Sequence, residues 1–78
     1  MNIDRLVDMA NDISNFFDAE PDKANATAEV ASHLRRYWEK RMRAQIIVHL
    51  ETNDGEGLSD LAKAAVRKLA DEARENAA

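Results

Sequence analysis

The stretch His33-Leu-Arg-Arg-Tyr-Trp-Glu-Lys-Arg-Met-Arg-Ala-Gln-Ile-Ile-Val-His-Leu50 sets the number of helices, because its apolar residues do not fit one face of one helix. An unbroken helix with Leu34 and Trp38 turned inward would next present Arg41 and Gln45 on that face, whereas the apolar residues are Met42, Ile46, Ile47 and Leu50. Each step of four residues drifts about 40°, so Leu50 would lie about 160° away from Leu34. A break or kink near Glu39-Lys40 returns both sets to one core. The stretch therefore predicts one helix ending at about Trp38 and another over about 41–51.

Working outward, no period-2 alternation occurs, and only two glycines and one proline interrupt the chain, so the reading is all-α. Upstream, Ile3, Leu6, Val7, Ala10, Ile13 and Phe17 form one helical stripe, with Asn2 as N-cap and Asp4 in the first turn. This predicts a helix over about 3–19. Pro21 then separates it from a helix over about 22–38 whose inward residues are Thr27, Val30, Ala31, Leu34 and Trp38. Downstream, Thr52-Asn-Asp-Gly-Glu-Gly57 reads as a turn, and Ser59 caps a helix over about 59–74 with a frayed last turn. Its stripe is Leu58, Leu61, Ala62, Ala65, Val66, Leu69 and Ala73, and Lys68 with Glu72 is an opposite-charge pair on its outer side. The expected architecture is a small three- to four-helix antiparallel bundle in a single domain, 1–78.

Of the 35 apolar residues in 78, 14 are alanine, so 21 larger side chains must supply the core. A core that thin often leans on a disulfide, a metal or a partner. With no cysteine, disulfides, thiolate zinc sites and iron–sulfur ligation are excluded, and a reducing cytoplasm is the expected setting. No apolar run approaches a membrane span and no secretory leader is expected.

Catalysis finds no support. Ser14, Ser32 and Ser59 lack a neighbouring histidine with its carboxylate, and no glycine loop cradles a phosphate. His33 and His49 sit on different helices, which favours packing edges over a metal pair. If Gly57 is aligned with the sixth position of a calcium loop, Lys63 falls where the bidentate acid is required. The expectation is no catalytic residue, no cofactor site and no metal in this chain.

Charge is segregated. Residues 1–29 carry a net −5, residues 30–50 a net +4 and residues 51–78 a net −3. Five of the eleven bases, the only tryptophan and the only tyrosine fall within 33–43. Arginine with tryptophan and tyrosine is the composition of protein–protein hot spots. The candidate partner-binding residues are thus Arg35, Arg36, Tyr37, Trp38, Arg41 and Arg43, with Lys40 as a weaker member. A second reading has Trp38 filling the core and the arginines balancing acids on the neighbouring helices, and Tyr37 and Trp38 either anchor the interface or hold the kink that presents it. The alternative class is a small helical nucleic-acid-binding or regulatory protein using the 35–43 bases on phosphates; the net charge of −4 argues against it.

In order, Asn2-Ile-Asp-Arg-Leu-Val7, Met9-Ala-Asn11, Phe16-Phe17 ahead of Pro21, His33-Leu-Arg-Arg-Tyr-Trp38 and Arg41-Met-Arg43 resemble the delta subunit of soluble NAD-dependent formate dehydrogenases. The resemblance spans nearly the whole chain, including Leu58 to Leu69. It implies an accessory subunit of a cytoplasmic bacterial complex that assists assembly, cofactor insertion or stability of the catalytic (alpha) subunit. That partner is expected to carry a bis-molybdopterin guanine dinucleotide molybdenum or tungsten centre and iron–sulfur clusters. Other subunits are expected to carry flavin and to pass electrons to NAD. Self-association of the isolated chain stays open. Lys40 stands where the family's motif commonly has proline, a residue that would start the third helix outright.

Overall fold

The computed structural model describes residues 2–77. Four helices follow one another: α1 (Ile3–Phe17), α2 (Lys23–Tyr37), α3 (Lys40–Asn53) and α4 (Asp60–Ala77), with no strand among the described residues. The start of α1 is fixed by the Asn2 side chain, which accepts the Asp4 N–H at 2.7 Å. Asp22 does the same for α2, accepting from the N–H groups of Ala24 and Asn25 at 3.0 and 3.2 Å. These are the orphan donors that a helix N-terminus leaves without internal partners.

Leu6, Val7, Ala10, Val30, Ala31, Leu34, Trp38, Ile46, Leu50, Leu58, Ala62, Ala65, Val66 and Leu69 form the core. Several positions differ from the helical stripes of the sequence. Ser14 is buried at the end of the α1 stripe and satisfies its hydroxyl by donating to the Ala10 carbonyl at 2.9 Å, while Ile13 stays partly buried. Ala26 is buried in α2 where Thr27 was expected; the Thr27 hydroxyl instead turns back to the Lys23 carbonyl. In α4, Ala70 is buried and Ala73 exposed. α2 and α4 share the most extensive contact between helices, and both bury alanines, at 26 and 31 in α2 and at 62, 65 and 70 in α4. By contrast α2 and α3, though consecutive, hardly touch: α3 swings away to pack on α4 and α1.

The 54–59 loop is held by one side chain that the sequence reading missed. Asn11 donates to the Gly57 carbonyl at 2.9 Å and accepts the Ser59 N–H at 2.8 Å, joining α1 to the cap of α4. Gly57 has φ +91°, a conformation that favours glycine, and a Cβ there would sit 3.2 Å from Val7 Cγ1, close enough that the valine would have to shift by a few tenths of an ångström. His49 secures the near side of the loop, its Nε2 lying 2.8 Å from the Glu56 carbonyl oxygen. At its far end α4 runs to Ala77, beyond the expected residue 74, with Arg74 paired to Asp71 one turn earlier.

Candidate functional site

The corner between α2 and α3 is where the basic and aromatic residues gather. α2 stops because Trp38 leaves the helical region (φ −85°, ψ 138°), while its N–H still reaches the Leu34 carbonyl at 3.0 Å. Glu39 is extended as well (φ −62°, ψ 152°), and its carbonyl accepts the Arg43 N–H to begin α3. The indole of Trp38, one turn after Leu34, lies in the core, 6% exposed, and the two-residue excursion begins at this residue. Trp38 is thus part of the core at the point where the helix breaks.

The arginines divide in the same way. Arg35 reaches across to α4, its Nη2 lying 2.7 Å from both carboxylate oxygens of Glu72. Glu72 is thus occupied by a base from a packed neighbour, not by Lys68 on its own helix. The Arg43 guanidinium donates to the Arg35 backbone carbonyl, satisfying one of the carbonyls left over at the end of α2 and tying α3 to it. Arg35 and Arg43 build the corner. Arg36, Lys40 and Arg41 are exposed and make no ion pair or hydrogen bond among the described residues.

Tyr37, 68% exposed, stands on the outer flank of α2. Its ring lies 4.7 Å from that of His33 one turn earlier, His33 lies 6.4 Å from Phe17, and Phe17 lies 5.1 Å from Phe16. These centroid separations are those of mutually attracting edge-to-face or tilted rings. The row crosses from the end of α1 to the end of α2, and its outer members, Phe16 (72%) and Tyr37, are exposed. Beneath it, Asp12, Ile13, Phe16, Phe17 and His33 line an open hollow of about 460 Å³. Arg36, three residues after His33, adjoins the row on the helix surface. The sequence showed the Phe16-Phe17 pair and the one-turn spacing of His33 and Tyr37, but nothing local placed the end of α1 beside the last turns of α2.

Electrostatically the corner is lopsided. Arg35 and Arg36 in the last turn of α2 complement the negative end of its dipole. The first turn of α3 has no acid, holds Lys40, Arg41 and Arg43 at the positive end, and gains no side-chain cap from Glu39. Each such cation costs a few tenths of a kcal/mol, a local expense that packing does not require.

A family model described as "NADH-dependant formate dehydrogenase delta subunit FdsD" matches residues 5–66 of the 78. The chain belongs to that family. No curated protein and no solved structure matches it. The part matched to the delta subunit takes in the ring row, the whole α2–α3 corner and the Asn11 clamp, and stops within α4 before Glu72. Among the described residues of this delta-subunit chain, no group of three His, Cys, Asp or Glu side chains is placed to hold a metal ion. No helix among them is long and apolar enough to cross a membrane. The arrangement leaves two rings, Phe16 and Tyr37, exposed on the surface, with Arg36 adjoining the row and making no side-chain ion pair among the described residues.

Proposed function

We propose that this chain is a non-catalytic accessory subunit of a cytoplasmic NADH-dependent formate dehydrogenase. In this reading it docks on the catalytic alpha subunit and assists assembly, cofactor insertion or stability there. The redox cofactors, a molybdenum or tungsten pterin centre and iron–sulfur clusters, belong to that partner. The docking face consists of Phe16, Phe17, His33 and Tyr37 with Arg36 and Arg41, while Arg35, Trp38 and Arg43 hold it in shape. One observation carries this choice: four rings lie in a row, and among the described residues the outer two stay largely uncovered, at 72% and 68% exposure. Exposed aromatic residues next to free arginines are the composition of interface hot spots.

The test is co-purification of the full chain with the catalytic subunit. The double variant Arg36→Glu/Arg41→Glu and, separately, Phe16→Ser should each lose the partner while keeping the helical circular dichroism of the parent. Undiminished recovery with both would overturn the docking face.

A further inference from the structure

On the other side of α2 from Tyr37 the same corner opens into a second concavity. Arg35 and Tyr37 are about 200° apart around the helix, so they look in nearly opposite directions. Between α3 and α4 lies a groove of about 510 Å³, with a floor of Ala44, Ile47 and Leu69 and a rim that includes Lys40 and Arg43. The Arg35–Glu72 pair closes it on the α2 side. We infer that this groove receives an acidic, amphipathic helical segment of a formate dehydrogenase subunit, making it a second contact separate from the ring row.

Three observations select that occupant. Among the charged lining residues, Arg35 and Glu72 neutralise each other at 2.7 Å, which leaves Lys40 and Arg43 as net positive charge. The groove also opens beside the first turn of α3, which itself holds no acid and where the helix dipole adds to those cations. An anionic partner therefore gains what the free chain loses. The floor, however, is apolar: Leu69 is only 5% exposed, and Ile47 packs against the core. A phosphate or nucleic-acid backbone would leave that floor uncovered. A helix with apolar residues at i and i+3 or i+4 and acids along its edge satisfies both floor and rim. A second copy of this chain is a poorer fit, because its exposed acids Asp4, Asp8 and Asp12 share their stripe only with Phe16.

The inference rests on the docking reading above, and the test separates the two. Because the chain has no cysteine, Asn76→Cys at the groove rim and Asn15→Cys beside Phe16 can each be labelled singly with benzophenone maleimide. Each labelled chain is added to formate dehydrogenase purified without this subunit, irradiated, and the crosslinked peptides are identified by mass spectrometry. The label at 76 should capture a peptide of one of the complex's subunits that carries at least two acids around an i, i+3 or i, i+4 apolar pair. In parallel, Ala44→Trp, which fills the groove, and Lys40→Glu should each weaken association about ten-fold, the equivalent of ~1.4 kcal/mol, with unchanged circular dichroism. Capture of a second copy, capture of a segment without acids, or full-strength association of both variants overturns the groove. Capture from position 15 alone sinks the groove and leaves the ring face standing. Capture from neither position sinks both.

Discussion

Tyr37 and Trp38 are adjacent in the chain and opposite in environment, and helical phase is the cause. Trp38 comes one turn after the buried Leu34, to whose carbonyl its N–H still bonds, while Tyr37 lies about 100° round the helix on the outer flank. Composition alone had grouped the two as aromatic partners of the same arginines. Their truncation should separate them. Trp38→Ala removes the largest buried side chain of a thin core, at a cost of about 3–5 kcal/mol, a large share of the whole stability of a chain this size. Trp38→Phe should show a smaller loss in the same direction, which keeps the comparison measurable if the alanine variant does not fold. Tyr37→Ala should stay within about 0.5 kcal/mol of the parent. Urea unfolding followed by circular dichroism reads all three, and equal losses at 37 and 38 would contradict this division of roles.

At the scale of the helix, α3 starts against its own electrostatics. Lys40 is its first residue, and its N–H is one that a helix start leaves without an internal acceptor. Glu39 ahead of it already has the extended ψ of 152° that a following proline prefers. Lys40→Pro should therefore stabilise the chain by about 0.4–1 kcal/mol, while removing one rim charge from the α3–α4 groove. Arg41→Glu converts an unfavourable cation in the first turn into a favourable anion and should raise stability by about 1 kcal/mol. The same change should weaken docking, because Arg41 is a free base on the proposed face. A higher melting temperature together with poorer co-purification is the pattern of a residue kept for binding; a loss of both would make Arg41 structural. The break before α3 was legible in the sequence because Leu34 and Leu50 cannot share a face of one helix. Helix starts after Asn2 and at Ser59 were legible through capping chemistry, and that of α2 through Pro21, while the capping role of Asp22 was not read. The Arg35–Glu72 pair, the Asn11 clamp and the ring row were not, since each joins residues on different helices and depends on which helices pack together. For the same reason the sequence could gather the six candidate contact residues but could not divide them into three that hold the corner and three that face outward.

Over the whole molecule, compactness and charge point to the same dependence on a partner. The radius of gyration, 11.4 Å, matches the ~11.5 Å expected of a packed domain of this length. Six of its buried apolar residues are nevertheless alanine, so little large apolar area stabilises that packing. A partner that binds only the folded chain adds stability by mass action, about 2.7 kcal/mol when its concentration is about 100 times Kd. The melting temperature of the isolated chain should accordingly rise when the catalytic subunit is added. Part of that rise should fade as salt increases, since the pull on Arg36, Arg41 and Lys40 is screened within about 10 Å at 0.1 M. The part due to the rings should persist. The Arg36→Glu/Arg41→Glu chain should keep its own melting temperature or exceed it, yet show a clearly smaller rise with the partner. Duplex DNA at low salt should leave the parent's melting temperature unchanged, because the basic corner is set in a chain whose net charge is −4. A rise with DNA that collapses steeply in salt would instead assign the corner to phosphates, and a partner-induced rise that survives undiminished in the double variant would move the protein contact off this face.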